Sequence, residues 1–336
     1  MIAYLIKRIL LAGVTLLTIL FVSYVMLRLA PGDPTRSDML AGESGTMDSR
    51  SGKLRENLSL REKLALDKPI AVGFAIWLKR IVLHGDFGES ATVEPGKSVT
   101  RIIVDHLGVS LKLNIWAIAV TYLLAIPIGV LSAAHAGSLF DRSAETGSFI
   151  LYSLPVMWVG LLLQALFCEG GRFPIFPLGG TPPSHLLDMT IWRYELEQAR
   201  YMFLPVVCLS YGGIAGLSRY ARGSVLQNIR ADYLRTARAK GVSETTLLWK
   251  HAFRNAFITM ITLFSGILPS LISGSVMVEY IFNLPGMGTL SLLALSSRDY
   301  PLQMALFAFA GALTLAGILL GDLLYMLADP RIRLTK

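Results

Sequence analysis

The chain has 336 residues, of which 53% are hydrophobic and only 16% charged, with a formal net charge of +8. Soluble domains carry about 25% charged residues, so a composition this poor in charge excludes an ordinary water-soluble globule. Two cysteines, Cys168 and Cys208, form no CxxC pair, and His84, His106, His135, His185 and His251 fall in no ligand spacing, so neither a zinc nor a redox motif is offered.

Six runs are free of Asp, Glu, Lys and Arg: Ile9–Leu27, Leu113–Ala134, Thr146–Cys168, Tyr201–Ser218, Asn255–Val278 and Tyr300–Gly321. A bilayer core of about 30 Å takes about 20 residues of helix, and lipid supplies no hydrogen-bond partner, so each run is expected to be a helical span. The first is read as a retained span rather than a signal peptide, being long for a cleavable apolar region and followed by Arg28. A seventh run, Tyr280–Ser297, is interrupted by Asn283, Pro285, Gly286 and Gly288, and is read as a loop holding a short half-buried helix over Thr289–Leu295.

With six spans both termini share one side. Segments 1–8, 135–145, 219–254 and 322–336 then hold nearly all the excess positive charge, while 31–112, 169–200 and 279–299 are close to neutral. The positive-inside rule puts both termini in the cytoplasm and accounts for the basic balance without nucleic acid. The outer stretch 31–112 carries twelve basic and eleven acidic residues and is expected to be a small folded subdomain, with a helix over Lys68–Leu83 set by Phe74, Trp77 and Ile81. Arg28 is expected to reach outer headgroups, and Asp322 to serve structure at the inner end of the last span.

The inner loop 219–254 carries eight basic and two acidic residues. Asp232 is a candidate N-cap for a helix over Tyr233–Lys240, Gly241 its stop, and Ser243 the cap of a second helix with Glu244 in its first turn. Tyr233, Ala237 and Gly241 fall at i, i+4 and i+8, a small face suited to close approach by a partner, while Arg235 and Arg238 point elsewhere. A solvated loop lying on lipid headgroups is the competing reading of the same residues.

The stretch Asp232-Tyr-Leu-Arg-Thr-Ala-Arg-Ala-Lys-Gly241, with His251-Ala-Phe-Arg-Asn-Ala256 after it, resembles the "EAA" loop of binding-protein-dependent ABC importer permeases. The similarity runs along nearly the whole chain and is closest to the first permease subunit of the dipeptide, oligopeptide and nickel branch. Ala30-Pro-Gly-Asp-Pro34, Leu66-Asp-Lys-Pro69, Gly85-Asp-Phe-Gly-Glu-Ser90, Leu284-Pro-Gly-Met-Gly288, Arg298-Asp-Tyr-Pro301 and the tail motifs Asp322–Tyr325 and Asp329–Arg333 carry it. Arg235 stands where the loop's eponymous Glu would be, Thr259 where Pro is frequent, and Leu284 where Trp is frequent.

The resemblance implies an all-α membrane protein with six transmembrane helices of type I importer architecture. Residues 1–30 would hold the N-terminal segment and first span, 31–112 an outer subdomain, and 113–336 the permease core. The core would comprise spans 113–134, 146–168, 201–218, 255–278 and 300–321, the coupling loop 219–254 and a cytoplasmic tail. It implies a bacterial inner-membrane location and a non-catalytic subunit without cofactor. The implied partners are a second homologous permease, two cytoplasmic ATP-binding subunits, and a periplasmic or lipid-anchored substrate-binding protein. The residues expected to couple to the ATPases are Tyr233, Ala237, Arg238, Ala239, Lys240, Gly241, His251 and Asn255. A peptide is the favoured substrate. A secondary transporter or channel working alone is the rival class, which the charge-free spans disfavour.

One decoy is set aside. Ala91-Thr-Val-Glu-Pro-Gly-Lys-Ser98 approaches a P-loop but lacks its first glycine and its preceding strand, without which the backbone cannot wrap phosphates.

Overall fold

The computed structural model describes residues 2–29, 67–180, 190–257 and 275–328. Most of the predicted fifth span, the first half of the outer subdomain, the Ala30–Pro34 motif, His185 and the end of the tail lie outside them. The described helices are α1 (Ile2–Leu29), α2 (Ile70–His84), α3 (Val99–Ala134), α4 (Leu139–Ser153), α5 (Val156–Phe167), α6 (Ile191–Ile229), α7 (Asp232–Ala239), α8 (Val276–Ile281), α9 (Met287–Ser296) and α10 (Tyr300–Ala328). A single turn Glu244–Thr246 and a π-helical segment Leu247–Ala252 follow α7.

Four of these helices are long and apolar enough to cross a membrane, and a fifth crossing is available if the bent pair α4–α5 counts as one. The predicted third span, Thr146–Cys168, falls on two helices, α4 and α5, that meet at 95°. Proline causes the break: Pro155 has no N–H to give, and the residue before a proline is pushed out of the helical region. Leu154 accordingly sits extended at φ −82°, ψ 127°. The second span also starts earlier than its apolar run, at Val99 rather than Leu113. Its added turns bury Val99, Ile102 and Ile103 at helical spacing while Arg101 faces outward.

The chain divides into two compact units, 1–107 with 290–315, and 108–289 with 316–336. In the first, an aromatic cluster joins α1, α2 and α10: Leu20, Tyr24, Phe74, Trp77, Met304 and Ala308. The predicted helix over Lys68–Leu83 is α2, which stops at Gly85 with φ +62°. Arg28 donates to the Lys68 carbonyl at 2.6 Å, so its guanidinium closes the entry to α2. The buried Asp299 is the hub of this unit. It accepts from Ser90 Oγ at 2.5 Å, from the Thr92 and Val93 amides at 3.0 and 3.1 Å, and from the Leu302 amide at 3.1 Å. One carboxylate thus caps α10 and anchors the Gly85–Ser90 motif. In the P-loop-like stretch, Lys97 lies 2.9 Å from both Glu94 and Asp105, and its charge is spent within the unit.

In the second unit the buried core of Leu113, Met202, Leu204, Val206, Val278, Ile281, Phe282 and Leu284 also holds Cys168 and Cys208 as free thiols. Helix α3 comes close to α6 at Gly129. A Cβ there would stand 2.5 Å from the Ser218 carbonyl oxygen and 2.6 Å from Ala221 Cβ. Such small-residue seams let helix backbones pack where lipid provides no hydrophobic drive. Gly129→Ala should therefore cost about 1–3 kcal/mol through overpacking. Gly212→Ala, at a helical position with open space around its Cβ, should stay within about ±0.5 kcal/mol. Melting temperatures of the detergent-solubilised variants give the comparison; equal melting of the two would contradict the seam.

Candidate functional site

The basic loop after α6 folds into a compact cap. Helix α7 spans Asp232–Ala239, with Ala231 in the extended N-cap position. The predicted cap, Asp232, is therefore the first helical residue, where its charge meets the positive end of the helix dipole and pairs with Arg235 at 3.5 Å. The C-terminus is a Schellman stop: the Gly241 amide reaches the Arg238 carbonyl at 3.0 Å and the Val242 amide the Ala237 carbonyl at 3.4 Å. Gly241 takes φ +79°, which only glycine adopts without strain. Ser243 occupies the next N-cap position but makes no backbone cap; its hydroxyl donates to Thr246 Oγ1 at 2.9 Å. The chain then relaxes into the π-turn Leu247–Ala252, an irregularity frequent at functional sites.

Which face of α7 is free is settled by its packing. Leu234 is buried and Ala237 half-buried against Val130 and Ala133 of α3, Val225 and Ile229 of α6, and Leu247, Ala252 and Ala256. The small face expected to meet a partner is thus turned, at Ala237, onto the chain's own core. The opposite face presents Asp232, Arg235, Thr236 and Ala239, all exposed. Tyr233 is exposed on the flank, its hydroxyl donating to Asn228 Oδ1 at 3.0 Å and accepting from Asn255 Nδ2 at 2.9 Å. Two of the expected site residues, Tyr233 and Asn255, are thereby joined across 22 positions of sequence. Arg238 forks onto Glu244 at 2.6 and 2.9 Å and clamps the turn. Lys240 and Gly241 are exposed, and His251 is half-buried on the π-turn.

Two buried carboxylates complete the unit and escaped the sequence reading. Asp141, 2% exposed, lies at the start of α4. It accepts from Ser132 Oγ, from the Gly137 amide at 2.8 Å, and from Arg222 of α6 through Nε at 2.6 Å and Nη2 at 2.7 Å. Glu279, fully buried, sits in what was read as an outer loop. It accepts from Ser110 Oγ at 2.7 Å, from the Ser275 amide at 3.2 Å, and from the Gly288 and Thr289 amides at 2.7 and 3.0 Å. It therefore caps the first turn of α9. Glycine is required beside it: a Cβ on Gly286 or Gly288 would stand 2.5 or 2.8 Å from its oxygen. Those two glycines, in Leu284–Gly288, were the signal available in sequence. No group of three or more His, Cys, Asp and Glu side chains suited to a metal occurs among the described residues.

A family model described as "Binding-protein-dependent transport system inner membrane component" matches residues 125–334, and its N-terminal companion matches residues 1–113. The chain belongs to this family. Among its relatives are the oligopeptide transport system permease protein AppB of Bacillus subtilis, 36% identical over 99% of both chains, and the inner membrane ABC transporter permease protein YejB of Escherichia coli, 33% identical over 98% of both. The peptidoglycan transport system permease protein YejB of Agrobacterium fabrum is 31% identical, again over 98% of both chains. The chain is thus a multi-pass inner-membrane component of a binding-protein-dependent transport system, and the resemblance carried by its loop motifs holds from end to end.

The Arg238–Glu244 clamp has a pH signature. The hydrogen bonds from Arg238 hold the Glu244 carboxyl below its usual 4.5. A lowered acid contributes stability that is complete above its unfolded value and is lost as pH falls through the lowered one. Amide protection at Gly241 and Val242 should therefore be flat near neutrality and decline in the acid range below 4.5. Glu244→Gln should remove that decline; hydrogen exchange checks it, and an unchanged profile in the variant would contradict the clamp.

Proposed function

We propose that this chain is one of two permease subunits lining the pathway of an ATP-driven peptide importer. Six spans, both termini in the cytoplasm and an outer subdomain over 31–112 complete the architecture. A binding protein delivers substrate from outside, two cytoplasmic ATPases supply the energy, and the chain itself hydrolyses nothing. Peptide as substrate is supported by the relatives named for oligopeptide and peptidoglycan transport, both of which carry peptide linkages.

The observation that carries this reading is α7. It is a short helix seated by Leu234 and Ala237 on the ends of α3 and α6, with an exposed opposite face of one acidic, one basic, one hydroxyl and one methyl side chain. A helix with its own apolar face satisfied and its outer face polar and exposed can be gripped without being pulled out of its seat. ATP-driven closure of two ATPases around such helices, one from each permease, would draw them together and reorient the spans. The coupling set is then Tyr233, Arg238, Ala239, Lys240 and Gly241 at or near the surface, with Ala237, His251 and Asn255 supporting the helix from behind.

The assignment of faces changes which substitution discriminates. Ala237→Arg would disturb the chain's own core whether or not a partner docks. Ala239→Arg alters only the exposed face. In a complex reconstituted with its ATPases and binding protein, Ala239→Arg should abolish peptide transport and binding-protein-stimulated ATP hydrolysis, while the amount of inserted chain is unchanged. On a merely solvated face its effect would stay within about ±0.5 kcal/mol, and normal transport would refute docking.

Orientation is tested separately. Lys240→Cys and His84→Cys both place a thiol at an exposed position. In sealed cells an impermeant thiol reagent should label His84→Cys and spare Lys240→Cys until the membrane is opened; the reverse pattern would invert the topology.

A further inference from the structure

Helix α4 is attached in an unusual way. Its buried residues are Asp141 and Ser148, both polar. Each bonds to α6: Asp141 to Arg222 through both carboxylate oxygens, and Ser148 Oγ to Ser218 Oγ at 3.3 Å. Where α4 ends, the Leu154 carbonyl, freed by Pro155, accepts from Tyr211 Oη of α6 at 2.7 Å. Three polar contacts therefore fasten α4 along α6 from its first turn to the 95° break that separates it from α5. Beside them a cleft of about 510 Å³, lined by Ser132, Glu145, Ser148, Tyr152, Ser218 and Arg219 among others, leaves part of α4 without close neighbours.

The same residues connect to α7. Arg222 lies on α6 about one turn before Val225 and two turns before Ile229, which help form the seat of Leu234 and Ala237. Asp141 also accepts from Ser132 of α3 and from the Gly137 amide in the α3–α4 turn. Its carboxylate thus joins the end of α3, the start of α4 and the last quarter of α6. A bidentate guanidinium–carboxylate pair fixes angle as well as distance, whereas apolar contacts would let α4 slide.

We propose that Asp141 and Arg222 are a positioning pair that makes α4 move as one body with α6 and α7, so that motion delivered at α7 is taken up at the Leu154–Pro155 break between α4 and α5. This rests on the reading of α7 as the helix that receives the ATPases. It adds a specific route: α7 to α6 through the apolar seat, α6 to α4 through the ion pair, and α4 against α5 at the proline.

The test uses the full complex of this chain with its partner permease and ATPases. Ser148→Cys with Ser218→Cys places two thiols across the α4–α6 contact, and their oxidation to a disulfide reports whether the helices stay together. In the otherwise unmodified chain the cross-link yield should be the same without nucleotide and in the vanadate-trapped state, and the cross-linked complex should turn over ATP as the reduced one does. With Asp141→Asn or Arg222→Gln added, the yield in the trapped state should fall about fivefold or more, the lower end of ordinary coupling energies. In reconstituted vesicles, uptake of a labelled tripeptide per ATP hydrolysed should fall in step. A purely structural role would lower the amount of assembled complex and leave the per-complex ratio, and the nucleotide dependence of the cross-link, untouched.

A nucleotide-dependent yield in the unmodified background, or variants whose trapped-state yield equals the parent's, would overturn the proposal. Ala239→Arg separates the two readings. If it leaves ATPase docking and turnover normal, the docking reading fails and takes this proposal with it. If it abolishes them while Asp141→Asn leaves yield and uptake ratio unchanged, docking stands and only the positioning pair fails.

Discussion

Lipid offers a peptide group nothing to bond with, and this requirement orders most of what is seen. Where the chain stays helical the demand is met within the helix. Where it departs from the helix, a side chain takes over. The Leu154 carbonyl at the proline break goes to Tyr211, the Gly288 and Thr289 amides in the first turn of α9 go to Glu279, and the Leu302 amide in the first turn of α10 goes to Asp299. The carboxylates that charge-free windows treat as anomalies are the parts that make non-helical backbone tolerable, each accepting three or more donors.

The same economy explains the loop after α6. Helix α7 is too short to be stable alone, since isolated helices of this length are marginal in water. It persists because Leu234 and Ala237 are buried on the chain's own core, a Schellman turn closes its end, and Arg238 clamps Glu244 across the turn. A coupling element must be rigid with respect to its own subunit and free with respect to the next. In the role proposed for α7 the two demands would be divided between opposite faces of one helix, with the apolar face serving the subunit.

Much of this was legible beforehand, and the illegible parts share a cause. The charge-free runs find α1, α3, α6 and α10 because they report contact with lipid, and the short helix within Tyr280–Ser297 appears as α9. Their ends were missed because a helix does not stop where lipid does: α3 begins at Val99, with Arg101 exposed on one side and Ile102 and Ile103 buried on the other. Pro155 was visible in the third run, yet its consequence depends on whether neighbours can satisfy Leu154, which is tertiary information. The loop motif located α7 to within a residue, but residue size alone could not say whether Ala237 faced outward or inward. Asp141 and Arg222 stand 81 positions apart, and no periodicity links them. The end-to-end relationship to the binding-protein-dependent permeases, by contrast, was carried by short ordered motifs, several of which prove to be the loops held by Glu279 and Asp299.

The length of α6 limits the kind of motion the subunit can make. It is one continuous helix of 39 residues, about 58 Å at 1.5 Å per residue, but its uncharged middle, Tyr201–Ser218, is bounded immediately by Arg200 and Arg219. That middle is about 27 Å long, slightly less than the hydrocarbon layer it crosses. A displacement of one helical turn along the membrane normal would carry an arginine toward the bilayer centre, where a charge costs about 2.5–3.5 kcal/mol on insertion scales. The helix is consequently held against pistoning while remaining free to tilt and to turn about its axis. On the proposed reading of α7, work done on the loop would reach the far end of α6 as tilt or rotation rather than as translation.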